Sequence, residues 1–123
     1  IIAAARRANP DVQVLYHSDG FFEPIIRDLL ELGVNAINPL QPEHMDAAAI
    51  RRRYGPSLAL WGTVGTQTAF ATARAGMIRD EVARRIGTLG RSGLILSPAY
   101  DVDTPEIDGR NLAEFLRAAR ELG

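Results

Sequence analysis

Short apolar runs that alternate with helical patterns constrain this chain more than any other feature of it. Runs rich in β-branched and large apolar residues stand at Val12 to Tyr16, Val34 to Ile37, Leu58 to Trp61 and Leu94 to Leu96, each bounded by turn residues. Continuous apolar runs this short read as strands buried on both faces. Between them, Phe22, Ile25, Ile26, Leu29 and Leu30 recur at helical spacing, with Gly33 as a left-handed stop. Ala47 to Tyr54 reads as a second helix with Asp46 as its N-cap, and Asp80 to Leu89 as a third, closed by Gly90. A last helix is expected to bury Leu112, Phe115, Leu116 and Ala119. The opening Ile1 to Arg7 reads as the inside of a helix without an initiating methionine, so a piece cut from a longer polypeptide is expected.

Strand–helix alternation implies parallel pairing through right-handed crossovers, which leaves one face of a four-stranded sheet bare if every crossover runs the same way. Either the strand order reverses and helices cover both faces, as in a small doubly wound ligand-binding domain, or further strands close a barrel. The length suits the first arrangement and the helical start suits the second. A doubly wound binding or receiver-like domain is disfavoured, because no acidic cluster ends the first strand and no glycine-rich fingerprint follows it. In either architecture the chemistry belongs at the C-terminal ends of the strands, in the loops from His17 to Pro24, Pro39 to Asp46, Gly62 to Thr72 and Ser97 to Gly109.

Composition narrows the function classes. A net charge of −1 argues against a nucleic-acid or anionic-membrane partner, both of which need a surplus of cations. All of the 14 basic residues are arginine, which reads as lineage bias. The absence of cysteine excludes disulfides, thiolate zinc sites and a cysteine nucleophile, and fits a reducing cytoplasm. No apolar run reaches the roughly 20 residues of a membrane span, and the N-terminal residues have the wrong order for a signal peptide. The expected partner is a small-molecule substrate.

The loops carry the specific signals. His17-Ser18-Asp19-Gly20 follows the first strand, Asn38-Pro39-Leu40-Gln41-Pro42-Glu43-His44-Met45-Asp46 the second, and Gly62-Thr63-Val64-Gly65-Thr66-Gln67 the third. The fourth runs into Ser97-Pro98-Ala99-Tyr100-Asp101-Val102, then Pro105 and Asn111. This succession resembles the C-terminal half of the uroporphyrinogen decarboxylase superfamily over essentially the whole chain. The resemblance implies an α/β fold, the C-terminal half of a (β/α)8 TIM barrel, with strands five to eight present and the N-terminal half lying outside the chain. It implies an enzyme: a lyase that decarboxylates a porphyrinogen without a cofactor, or a methyltransferase of the same superfamily working on corrinoid- or metal-linked methyl groups. The substrate is then a tetrapyrrole or a methyl donor.

The chain departs from both groups. The decarboxylases' Gly-Asn-Leu-Asp-Pro after the seventh strand is replaced by Gly62-Thr63-Val64-Gly65-Thr66, and their glycine-histidine-glycine turn falls near Ala99-Tyr100-Asp101. The methyltransferases' first metal-binding cysteine is replaced by Asp19, and no second cysteine exists. No metal site is assigned, although His17 with oxygen ligands would form a mixed one.

From the loops, His17, Asp19 and Tyr100 are the catalytic candidates. His17 at a strand end would donate or accept protons, Asp19 would orient it, and Tyr100 would protonate a carbanion or stack on a planar ligand. The bland alternatives are a histidine that caps loop carbonyls, an Asx turn before Gly20 and a packed tyrosine. Gln41, Gly62, Thr63, Gln67 and Asp101 are the substrate-binding candidates: the amides by hydrogen bonding, and the glycine-rich loop as a backbone cradle for an anion. His44 reads as a surface residue and Trp61 as core. The four loops hold Asp19, Glu23, Glu43, Asp46, Asp101, Asp103, Glu106 and Asp108 but no arginine, so the rim is acidic. Half a barrel also leaves two open sheet edges, so the chain alone is expected to be inactive and to pair into a homodimer, aggregate or remain molten.

Overall fold

The computed structural model describes residues 1–74 and 76–123. Four parallel strands, β1 (Leu15–His17), β2 (Ala36–Leu40), β3 (Ala59–Val64) and β4 (Leu94–Pro98), form one sheet in the order β1-β2-β3-β4. Helix α1 (Ile2–Ala8) precedes β1. A 3-10 turn (Glu23–Ile25) leads into α2 (Ile26–Leu32) after β1, and α3 (Ala47–Tyr54) follows β2. A π-helix (Thr66–Phe70) and α4 (Met77–Leu89) follow β3, and α5 (Gly109–Leu122) follows β4.

The helices form where the spacing places them. Gly33 ends α2 at φ 96°, and its amide donates to the carbonyls of Leu29 and Leu30. The Asp46 carboxylate accepts from the amides of Ala48 and Ala49 at 2.8 and 3.1 Å, capping α3. Helix α4 begins earlier than the apolar period shows, at Met77, because Gly76 takes the left-handed conformation at its start. Leu116 is not buried as expected but 56% exposed. The inward stripe of α5 runs through Asn111, Phe115 and Ala118, and Leu116 falls on its flank.

The strands end farther along the chain than the apolar runs suggest. Residues 12–14 stay outside β1: the Val14 amide donates to the Asn35 side chain at 3.0 Å and not to a strand carbonyl, while the Val14 carbonyl accepts from the Asn35 and Ala36 amides at 2.8 and 3.2 Å. At the other end β1 includes His17 itself. Strand β2 continues through Asn38 and Pro39 to Leu40, with an irregular register between Ile37 and Leu40 that accommodates a residue lacking an N–H. Strand β3 continues through Gly62 and Thr63 to Val64, paired with Leu96, Ser97 and Pro98 of β4. Both Gly62 and Thr63, read from sequence as loop, are therefore strand residues.

Alternation along the strands divides the sheet into two unlike faces. Tyr16, Ile37, Leu40, Leu60 and Leu94 pack with Ile26 and Leu29 of α2 and Ile50 of α3 in one apolar cluster. Val64 and Leu96 pack with Ile78, Val82 and Phe115 in a second. The other face carries Leu15 (43% exposed) and Ile95 (42% exposed), with His17 exposed and Asn38, Trp61 and Ser97 half-buried. Consecutive strand order with helical packing on one face has no switch point, which sets aside the doubly wound arrangement. Arg51 locks the N-terminal end of the sheet: its guanidinium donates to the carbonyls of Gly55, Leu58 and Gly93 at 2.9, 3.1 and 2.7 Å. Among the described residues no helix is long and apolar enough to cross a membrane.

Candidate functional site

The C-terminal ends of β1, β2 and β4, with Trp61 from the middle of β3, meet around one open cleft on the bare face. His17, Asp19, Asn38, Trp61, Ser97 and Tyr100 line it, with Pro39, Pro98 and Asp101, around a volume of about 320 Å³. Parallel pairing sets His17 beside Asn38, and Thr63 beside Ser97, so strand ends deliver these side chains in register. His17, Asp19, Tyr100 and Asp101 are thus brought together.

His17 is held by a partner that the sequence reading missed. Its Nδ1 lies 2.7 Å from Asn38 Oδ1, an acceptor, so Nδ1 donates and Nε2 is left without a hydrogen bond among the described residues. The orienting role expected of Asp19 falls to Asn38, and Asp19 lies on the same cleft with no hydrogen bond between its carboxylate and the imidazole. The signal for Asn38 was the register of two parallel strands, which no local motif encodes. Trp61 is likewise not core. It follows helix-facing Leu60, so it projects to the opposite face and forms a flat wall of the cleft.

The remaining candidates sit elsewhere. Gln41 is buried, and its Oε1 accepts from the Gly20 amide at 2.6 Å, which ties the β1 loop to the β2 loop. Gly62 is buried at φ 109°, where an added Cβ would stand 3.2 Å from the Leu40 backbone nitrogen. Thr63 is fully buried at φ 80°, an unusual conformation for a β-branched residue, and its hydroxyl has no hydrogen-bond partner. Just past the expected anion cradle, the Glu43 carboxylate accepts from the Thr68 amide and hydroxyl at 3.3 and 2.9 Å. A Cβ on Gly65 would collide with that carboxylate, so the glycine makes room for Glu43. Gln67 lies outside the cleft, in a neighbouring cavity that also includes Tyr100 and Asp101. His44 lines a separate surface hollow with Glu43, Asp46 and Arg85.

A family model described as Uroporphyrinogen decarboxylase (URO-D) matches residues 1–122. The chain belongs to the uroporphyrinogen decarboxylase family. No curated protein and no solved structure matches it. In this member of the uroporphyrinogen decarboxylase family, the four consecutive β/α units are half of a (β/α)8 barrel. The bare face is then the barrel's interior side, and the cleft lies where barrels of this kind carry their chemistry.

Among the described residues no three His, Cys, Asp or Glu side chains come together as a ligand set. His17, Asp19 and Asp101 share a cleft, so a metal held there would need further ligands from outside this group.

Proposed function

We propose that this half-barrel carries the proton-handling wall of a uroporphyrinogen decarboxylase-like lyase, which removes a carboxyl group from a porphyrinogen or related pyrrole-bearing acid without a cofactor. The observation that carries the reading is the imidazole of His17, held through Nδ1 by Asn38, on a cleft that Trp61 and Tyr100 also line. Decarboxylation leaves the electron pair of the broken C–C bond in the substrate's own pyrrole system, and a proton must then reach the side-chain carbon. A positioned imidazole supplies or relays that proton, and aromatic walls align a planar ring beside it. Asp19 and Tyr100 complete the proton-handling group, while residues from four further β/α units close the barrel and hold the pyrrole nitrogens.

The test is turnover of uroporphyrinogen by the intact enzyme, read as decarboxylated porphyrinogen. His17→Ala is expected to lower kcat by about 10²- to 10⁴-fold, the range for a lost general acid or base. Asn38→Ala, which frees the ring without removing it, is expected to cost less. An unchanged rate in His17→Ala would overturn the assignment.

A second reading within the family is methyl transfer at a mixed nitrogen–oxygen metal site, with His17 and Asp19 of the cleft as two of its ligands and the others from outside this group. Under it, purified intact protein contains zinc that falls away in His17→Ala and methylates an acceptor from a corrinoid donor.

A further inference from the structure

The end of β2 grips the start of the β1 loop at three successive points. The Asn38 side chain holds the His17 imidazole at 2.7 Å, and the Asn38 carbonyl accepts from the Ser18 amide at 2.9 Å. At the two-residue period of a parallel ladder, the next amide to find a partner on β2 is that of Gly20. It donates to Gln41 Oε1 at 2.6 Å, so a side-chain amide stands where a strand carbonyl would. Gln41 is only 5% exposed, and its own backbone is fixed: its carbonyl accepts from the amides of His44 and Met45, both at 3.0 Å, and Met45 is buried. The acceptor is therefore placed in advance. Gly20, at φ 75°, ends the gripped segment in a conformation that favours glycine. Between the gripped amides of Ser18 and Gly20 stands Asp19, exposed on the rim of the cleft.

We propose that Gln41 is a positioning residue for the cleft: by holding the Gly20 amide it fixes the Ser18-Asp19-Gly20 turn, and with it the place of the Asp19 carboxylate on the rim that His17 shares. The inference rests on the reading of the cleft as the site of proton handling and deepens it. Past His17 the chain leaves the sheet, so an exposed carboxylate on this turn is ordered only as far as the amides on either side of it are. A group held in one place before the substrate arrives need not be ordered at each turnover. Gln41 does not line the cleft, so its effect passes through Asp19 and not through contact with substrate.

The experiment compares, in the intact enzyme, Gln41→Leu, which keeps the bulk and loses the acceptor, with Gln41→Glu, which keeps an accepting oxygen. Without substrate, amide exchange at Gly20 is expected to rise about five- to tenfold in Gln41→Leu, the scale of one lost hydrogen bond, while exchange in β3 is unchanged. In Gln41→Glu it stays near the wild-type rate. With uroporphyrinogen, Gln41→Leu is expected to lower kcat by about tenfold at a nearly unchanged KM, and Gln41→Glu to recover most of that loss. Gln41→Asn, which draws the amide oxygen back by one carbon, should follow Gln41→Leu in both measurements. Unchanged Gly20 exchange in Gln41→Leu, a loss carried by KM alone, or equal losses of kcat in Gln41→Leu and Gln41→Glu would overturn the proposal. The two readings fail separately: a wild type that does not turn over uroporphyrinogen refutes the proposed chemistry, whereas the exchange comparison needs no substrate and still decides whether Gln41 holds the turn.

Discussion

Single residues on this chain do two kinds of work that their letters do not distinguish. Gly62 and Thr63 sit in the loop read as an anion cradle, yet both are buried strand residues with positive φ, beneath the site and not on it. Gly62→Ala would force a Cβ into a conformation that favours glycine and to 3.2 Å from the Leu40 nitrogen. We expect it to cost about 1–3 kcal/mol in urea unfolding of the intact protein, with or without substrate present. A substrate-binding role alone would leave unfolding in the absence of substrate untouched. His17 and Asn38 show the converse. Neither forms a local motif with the other across 21 residues of sequence, and only strand pairing makes them neighbours.

At the scale of elements, α5 is tied to the site through Asn111. This side chain is buried, and its Nδ2 donates to the Phe70 carbonyl at 2.9 Å, so it anchors the end of the π-helix whose head lines the cavity next to the cleft. Phe70 and Phe115 meet edge to face nearby, with ring centroids 5.5 Å apart. Asn111→Ala leaves a buried carbonyl without a donor, at a cost of about 1–3 kcal/mol. Faster amide exchange over residues 66–72, beyond the global loss of stability, is the expected sign of local release. The start of α5 gives a pH dependence. The Asp108 carboxyl is held below its ordinary range by the Arg110 side chain and then by the Arg110 amide. A depressed carboxyl pKa stabilises the folded state above the unfolded value, and this stabilisation is lost as pH falls through the folded value. Asp108→Ala is therefore expected to lower Tm at neutral pH, with the gap to the wild type closing in acid below the ordinary value of 3.8. A gap that stays constant well below that value would assign the effect to packing.

The whole molecule is a sheet covered on one side. Strands β1 and β4 each leave one edge unpaired, and Leu15, Trp61 and Ile95 lie on the face that a closed barrel would line with packed side chains. Each large apolar side chain denied burial forgoes about 1.5–3 kcal/mol. We therefore expect this 123-residue chain alone to be inactive and to associate, with two copies joined edge to edge as the arrangement that covers most of this surface. Light scattering and near-ultraviolet circular dichroism check the expectation together. A monodisperse monomer with fixed tertiary signals and one cooperative transition would show that the four units are self-sufficient.

The four strands, the helices that follow them, the caps at Gly33 and Asp46 and the loops that line the cleft were legible in the sequence, because hydrophobic period and turn chemistry are local properties. The order of short motifs also pointed to the family that the match over residues 1–122 shows. Which way each strand residue faces, and what lies across from it, is a matter of register, and register depends on partners tens of residues away. Tertiary structure alone therefore decided that the strands run in consecutive order, that Trp61 belongs to the cleft, that Gln41 serves a loop, and that Asn38 holds His17.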